Sequence, residues 1–164
     1  MKIKKILFLV FVSALFFSGC AGGGIRLYEA DISGFGRDES GRIIPEEGLV
    51  CIAIYGKEGK SILGETLVHS DYKKEISVAE LSRDVCRVSE IPIVFSGAGP
   101  MTYVHGIDNL FEFDDGPESG WIYAVNGEYQ NVGCASYTIK DRDYVEWHYT
   151  LDLGRDLGAY KLDE

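Results

Sequence analysis

Hydrophobic residues first form a regular pattern at residues 49–55, where both alternating faces of the chain are apolar. Val50, Ile52 and Ile54 would lie on one face, and Leu49, Cys51, Ala53 and Tyr55 on the other. Apolar residues on both faces are typical of a central strand that is covered on both sides. A polar turn at 56–59 and a β-prone run at 61–68 follow, so we expect a hairpin.

A short amphipathic helix is predicted after this hairpin. Ser77 is a favourable N-cap residue, and Glu80 stands three places later, as in a capping box. Apolar residues then recur at helical spacing, at Val78, Leu81, Val85 and Val88. We expect this helix to pack its apolar side on the sheet.

The second half of the chain is rich in β-prone runs. Residues 91–95 and 101–105 are two such runs, separated by glycine and proline. Residues 121–125 and 128–129 flank Asn126-Gly127, a favoured two-residue hairpin turn. The last run, 144–150, would place Val145, Trp147 and Tyr149 on one face. A hairpin, a helix and then further strands predict an α+β protein, specifically a β-grasp (ubiquitin-like) fold with a mixed, mostly antiparallel sheet and one short helix.

The start of the chain has the pattern of an export signal. Residues 1–5 are basic, and residues 6–17 are apolar but too few to span a membrane permanently. Phe17-Ser18-Gly19-Cys20 resembles the bacterial lipobox, in which a small residue precedes the cysteine that becomes lipidated. We therefore expect removal of 1–19, acylation of Cys20, and a protein anchored by lipid on the extracytoplasmic face of a bacterial membrane.

Residues 20–47 lack sustained periodicity and are predicted to be a flexible tether. A flexible chain of this length spans roughly 30 Å on average. It would connect the lipid to a domain over residues 48–158, followed by a tail at 159–164. Without the leader, 13 basic and 26 acidic residues remain, a formal charge of −13. Such a negative field excludes nucleic acid as a partner.

The remaining cysteines and the histidines form no recognisable reactive motif. Cys51, Cys86 and Cys134 are far apart in sequence, so they are interpreted as core thiols, with a Cys51–Cys86 disulfide as the alternative. The histidines, His69, His105 and His148, are isolated from one another. The sequence therefore predicts no metal site, no required cofactor and no catalytic residues, and hence a protein that is not an enzyme.

A family resemblance appears in the last third. Residues 116–133, with Tyr137, Lys140-Asp141 and residues 144–154, resemble the transcobalamin C-terminal-like domain of bacterial surface proteins. The resemblance extends over roughly residues 48–158. Two positions depart from it: Arg142 stands where relatives carry glycine, and Cys134 where a small residue is more common. Because arginine tolerates positive φ poorly, we expect the turn at Arg142 to differ in type.

The resemblance implies a binding surface for a small molecule, cobalamin or another corrinoid, because the related domain of cobalamin carriers is the smaller of two that clamp this ligand. Aromatic side chains would contact the ring, and amides and backbone groups would supply hydrogen bonds. The candidate residues are Trp121, Tyr123, Asn126, Tyr129, Asn131, Val132, Gly133 and Tyr137. Alternation separates Trp121 and Tyr123 from Ile122 and Ala124, so one of these pairs is expected in the core.

The implied partners are a membrane transporter or a second binding domain, to which the captured ligand would be delivered. The alternative is a non-catalytic cell-surface module that recognises a protein or a glycan.

Overall fold

The computed structural model describes residues 24–29, 31–72 and 75–159. The predicted signal peptide, Cys20 and residues 160–164 lie outside the described residues. The described elements are the strands β1 (Leu49–Tyr55), β2 (Ser61–His69), β3 (Ile93–Ser96), β4 (Tyr103–Ile107), β5 (Leu110–Phe111), β6 (Gly120–Val125), β7 (Glu128–Tyr129) and β8 (Tyr144–Thr150), and the helix α1 (Val78–Val88). Short 3-10 turns lie at Ile32–Gly34, Lys57–Gly59, Ser70–Tyr72, Gly99–Met101 and Arg155–Leu157. The prediction of an α+β protein rich in sheet is confirmed.

The strands form two sheets. The larger has the order β2-β1-β8-β6-β7, and the smaller has the order β3-β4-β5. In the larger sheet, β1 and β8 pair in parallel, and the other neighbours are antiparallel. The first and last strands of the domain therefore lie side by side at its centre.

The helix covers one face of the larger sheet. The Ser77 side chain accepts a hydrogen bond from the backbone N–H of Glu80, and the Glu80 carboxylate accepts one from the N–H of Ser77 at 3.0 Å. The predicted capping box is therefore confirmed. Trp147 on β8 lies beneath the helix, and its indole N–H donates to the hydroxyl of Ser82 at 2.8 Å. Val145 and Tyr149 belong to the same cluster, as their predicted common face requires.

The other face of the sheet is covered by part of the segment that was predicted to be a tether. Tyr28, Ile32 and Phe35 of this segment pack against the buried cluster on that face. Ile43 is only 2% exposed and packs in a cluster with Cys51, Ala53 and Tyr144. The flexible-tether prediction is therefore corrected for this stretch. The physical reason is that β1 is apolar on both faces, so the face away from α1 also requires a cover.

The three described cysteines are free and buried. Cys86 belongs to the cluster around α1, whereas Cys51 belongs to the cluster on the opposite face of the sheet. The sheet therefore separates the two residues of the alternative disulfide, and the core-thiol interpretation is confirmed. Burial raises the pKa of both thiols to about 12, so they stay protonated at neutral pH.

Two turns bear directly on the sequence predictions. Asn126 and Gly127 both take positive φ, 52° and 82°, in the tight turn between β6 and β7, as predicted. Arg142 also adopts positive φ, 68°, so this arginine takes the left-handed conformation that it tolerates poorly. Its backbone N–H donates to the carbonyl of Leu49 at 2.9 Å, which ties this turn to the start of β1.

A candidate ligand-binding groove between the two sheets

An apolar groove lies where β4 of the smaller sheet faces β6 of the larger one. Its wider part is a cavity of about 590 Å³, and a narrower part of about 220 Å³ shares Tyr103, Val104, Trp121 and Ile122 with it. We call the two parts together the groove. The wider part is completed by Glu112, Phe113, Glu118, Ser119, Gly120, Thr150, Leu153 and Arg155. The narrower part is completed by Tyr123, Gln130, Asn131, Val132, Gly133, Cys134 and Trp147.

The groove exists because β6 lacks a full strand partner on one side. β7 pairs only with Ala124 and Val125, whereas β8 pairs along the whole of β6. The carbonyl of Tyr123 points away from β8, since it accepts a hydrogen bond from the N–H of Gln130 at 3.1 Å. By strand alternation, the backbone groups of Trp121 point the same way. They face the groove and not a neighbouring strand.

Exposed apolar side chains surround the groove. Tyr103, Phe113 and Leu153 line the wider part and are 42%, 62% and 53% exposed, and Val132, 44% exposed, lines the narrower part. A cluster of large apolar side chains on a surface is typical of an interaction site. These four residues therefore distinguish the groove from an ordinary surface depression.

Two of these four residues have an unfavourable backbone conformation. Phe113 has φ 70° and Leu153 has φ 48°, both in the left-handed region. Hydrogen bonds fix them: the N–H of Phe113 donates to Ser119 at 3.0 Å, and the N–H of Leu153 donates to Glu118 at 2.9 Å. Backbone strain of about 1–3 kcal/mol persists where surrounding structure enforces it, commonly at functional sites. The rim of the groove is therefore preorganised.

The polar groups at the rim already have partners within the protein. The Glu112 carboxylate accepts a hydrogen bond from the Tyr103 hydroxyl at 3.0 Å and lies 2.7 Å from Nδ1 of His105. Arg155 pairs with Glu118 at 3.0 Å and also with Asp152. A ligand would therefore meet an apolar floor bordered by charged pairs, with the Trp121 backbone and the Asn131 side chain as polar groups open to it.

The structure brings five of the eight predicted ligand residues to the groove, namely Trp121, Tyr123, Asn131, Val132 and Gly133. Tyr129 lines a separate polar pocket. Asn126 and Tyr137 line none of these cavities. Asn126 instead supports its turn: its amide donates to Asp143 at 2.9 Å and its amide oxygen accepts from the N–H of Tyr144 at 2.9 Å.

The predicted aromatic platform differs from what the structure shows. Trp121 and Tyr123 are the pair that faces α1, where they are buried in the main core. The indole N–H of Trp121 donates to the carbonyl of Leu110, and the Tyr123 hydroxyl donates to that of Val132. Only parts of these residues reach the groove, so their rings do not form an open stacking surface. Ile122, on the opposite face of β6, is the more accessible contact.

Sequence reasoning missed Tyr103, Phe113, Ile122 and Leu153. The sequence contained a signal that could have identified two of these residues, Phe113 and Leu153. Phe113 lies between Glu112 and Asp114, and Leu153 lies between Asp152 and Gly154, so each is a large apolar residue inside an acidic turn. A turn of this kind has no reason to carry a large apolar side chain unless that side chain makes a contact.

A second, polar pocket of about 350 Å³ lies on the face of the larger sheet away from α1. It is lined by Ser40, Gly41, Arg42, Tyr55, Ala124, Gly127, Tyr129, Glu146 and His148. Arg42 pairs with Asp38 at 2.8 Å and with Glu146 at 3.2 Å. Burial raises the pKa of Glu146, although Arg42 opposes this shift, and burial lowers the pKa of His148, which is therefore neutral at pH 7.

Replacing Arg42 by alanine is expected to lower the free energy of unfolding by about 2 kcal/mol at pH 7, because a buried carboxylate would lose its ion pair. The raised pKa of Glu146 means that its charge opposes folding only above the ordinary value of 4.5. The part of this cost that comes from Glu146 should therefore be present at pH 7 and decrease as the pH falls through the raised pKa of Glu146 toward 4.5. Urea unfolding at pH 7 and at pH 4 measures this cost.

Arg26→Ala, which breaks an exposed pair with Asp71, is the control and should cost less than about 0.5 kcal/mol. An equal cost of Arg42→Ala at both pH values would contradict the assignment.

Over the part of the chain that the structure describes, these observations define a mixed α+β domain with one α-helix, two sheets and an apolar groove between them. Within the described residues, no helix is long and apolar enough to cross a membrane. The same part of the chain contains no group of three or more His, Cys, Asp or Glu residues placed to hold a metal ion.

Comparison with known proteins adds one family and two solved structures. The model of a family described as a domain of unknown function (DUF4430) matches residues 77–150. No curated protein matches the chain. A candidate metal-binding protein from Ruminococcus gnavus is similar with a TM-score of 0.48 and 14% identity, covering 63% of this chain and 97% of that one. Haptocorrin in complex with Cbi is similar with a TM-score of 0.45 and 12% identity, covering 62% of this chain and 25% of haptocorrin.

Proposed function

We propose that the protein is a lipid-anchored extracytoplasmic protein that binds a small molecule in the groove, and that this ligand is cobalamin or another corrinoid. The observation that carries the proposal is the groove itself: a cavity of about 590 Å³ with a rim of exposed apolar side chains, two of which, Phe113 and Leu153, have a strained backbone. Small-molecule sites are commonly apolar clefts of about 300–1,000 Å³ with few polar groups.

The nature of the groove supports a large, partly apolar ligand. A corrinoid has a broad ring with amide side chains, so it could place one edge on Ile122 and Leu153 and hydrogen-bond to the Trp121 backbone. Such a ligand is larger than the groove, and part of it would stay outside. We therefore propose that a second binding domain or a membrane transporter covers the remainder during capture or delivery.

We also propose that the domain has a β-grasp fold of the transcobalamin C-terminal-like type. The first hairpin is followed by the helix, and the first and last strands lie in parallel at the centre of the larger sheet. This is the arrangement expected of a β-grasp sheet. The smaller sheet is an addition that supplies one wall of the groove.

A non-catalytic surface module for protein or glycan recognition is the second candidate. The observation that favours it is the open edge of β6 at Trp121, since an extended peptide can add to such an edge by backbone hydrogen bonds. Both candidates use the same groove, and neither involves catalysis.

Titration of the full-length protein, in micelles of an uncharged detergent, with cobalamin and cobinamide tests the proposal. We expect saturable binding, seen by calorimetry and as a change in the visible spectrum of the corrinoid. Protein-free micelles are the blank. Absence of both signals would exclude corrinoid binding by this chain alone and would favour the recognition module.

The proposed lipid anchor has its own test. Cys20→Ser should move the protein from the membrane fraction to the soluble fraction of the cell and abolish its labelling by radioactive palmitate, because the acylated thiol is missing. Cys134→Ser, a buried cysteine in the domain, is the matched control and should leave both unchanged. Palmitate labelling that persists in Cys20→Ser would contradict the anchor.

A further inference from the structure

We propose that the polar pocket on the second face of the larger sheet binds a small organic cation, an alkylammonium group, between Tyr55, Tyr129 and Glu146. This pocket shares no lining residue with the groove. It is therefore a second site, and its occupation does not depend on the function proposed for the groove.

Three aromatic rings form the walls of this pocket. The rings of Tyr55 and His148 stack with their centroids 5.3 Å apart, and the ring of Tyr129 meets that of His148 edge-on at 5.8 Å. Ala124 pairs with both Glu146 and Tyr129 in the sheet, and its small side chain leaves the space between them open. Faces of tyrosine rings attract cations through the ring quadrupole.

The carboxylate of Glu146 has one oxygen without a hydrogen-bond donor among the described residues. Oε2 accepts a hydrogen bond from Arg42 at 3.2 Å, whereas Oε1 lies 3.8 Å from Nε2 of His148, beyond hydrogen-bonding distance. Glu146 is only 8% exposed, so an unsatisfied oxygen there is costly. An ammonium N–H entering the pocket would supply the missing donor.

The charge around the pocket favours a cation over an anion. Arg42 is shared by two carboxylates, those of Asp38 and Glu146, which leaves the group with one net negative charge. His148 adds no positive charge at pH 7. The whole chain carries a formal charge of −10, which increases the local concentration of cations and repels anions.

The guanidinium of Arg42 is fixed in place by Asp38, Glu146 and Gly127. It lies against Gly127, where any side chain would collide with it, and Asp38 fixes it by two contacts of 2.8 and 2.9 Å. Arg42 therefore forms one end of the pocket. The two tyrosines and the free oxygen of Glu146 are left to contact a ligand.

Titration of the full-length protein with n-butylammonium tests this site, with butan-1-ol as the uncharged counterpart. We expect saturable shifts of the backbone NMR signals of Ala124 and Gly127 with the amine, and binding of the alcohol weaker by about tenfold or more. Glu146→Gln should reduce the affinity for the amine by a similar factor. Tyr129→Ala should weaken binding, and Tyr129→Phe, which keeps the ring, should retain it.

Two variants, one in the groove and one in the polar pocket, test whether the two sites bind their ligands independently. Gly120→Leu should leave binding of butylammonium unchanged, and Glu146→Gln should leave binding of a corrinoid unchanged. Equal binding of the amine and the alcohol, or no shift at Ala124 and Gly127 with the amine, would overturn the cation site. If Glu146→Gln does not fold, the two Tyr129 variants provide the test. Loss of amine binding in both Tyr129→Ala and Tyr129→Phe, or in neither of them, would also overturn the cation site.

Discussion

Replacing Trp147 by alanine is expected to lower the free energy of unfolding by about 4 kcal/mol. Trp147 is 1% exposed at the centre of the core between β8 and α1. The substitution would leave a cavity, remove the ring contact with Tyr123 at 5.2 Å, and take away the donor to the Ser82 hydroxyl. Urea denaturation followed by far-UV circular dichroism measures the loss.

Trp147→Phe is the matched control for this prediction. It keeps most of the buried apolar volume but lacks the indole N–H, so its cost should be about 2 kcal/mol. A loss below about 1 kcal/mol for Trp147→Ala would contradict the assignment of this residue to the centre of the core.

Replacing Gly120 by leucine is expected to weaken binding of a ligand in the groove by about 30-fold or more, equivalent to about 2 kcal/mol. Gly120 lines the wider part of the groove, and a Cβ at this position would lie at an ordinary contact distance, 3.6 Å, from Cβ of Glu112. The protein should therefore accept a side chain here without rearrangement of the backbone. A larger side chain would occupy the space of the ligand.

Gly120→Ala is the matched control, since it adds one methyl group and should change the affinity by less than about threefold. Both variants should melt within a few degrees of the wild type. Unchanged corrinoid affinity in a folded Gly120→Leu protein would place the ligand elsewhere.

Sequence patterns predicted the elements of the fold where the determining interactions are local. The capping box at Ser77 depends on residues three apart, and the Asn126-Gly127 turn depends on two consecutive residues that take positive φ. The strand at 49–55 follows from its apolar residues alone. Such signals need no knowledge of distant contacts.

The sequence did not predict which residues cover the second face of the larger sheet, the face away from α1. The two apolar faces of β1 required two covering layers, yet the sequence supplied only one periodic helix. Phe35 and Ile43 lie in a segment without sustained periodicity, so the pattern does not identify them. Their role became apparent only from their packing in the cluster with Cys51 and Ala53 of β1.

The groove was only partly predictable for a related reason. Five of the eight predicted ligand residues line the groove, but the opposite wall comes from Tyr103 and Val104 in a different sheet. The gap between β4 and β6 is a consequence of the short β7 strand, which is a long-range feature of pairing. Alternation did separate Trp121 from Ile122, but it could not decide which of the two would face the core.

Hydrogen–deuterium exchange of the full-length protein, with and without saturating cobinamide, tests the assignment of the ligand to the groove most directly. We expect slower exchange in the segments that line the groove, residues 103–104, 112–113, 119–122 and 150–155, and unchanged exchange at residues 40–42 and 127–129 around the polar pocket. Protection confined to the polar pocket, or no protection at residues 119–122, would contradict it.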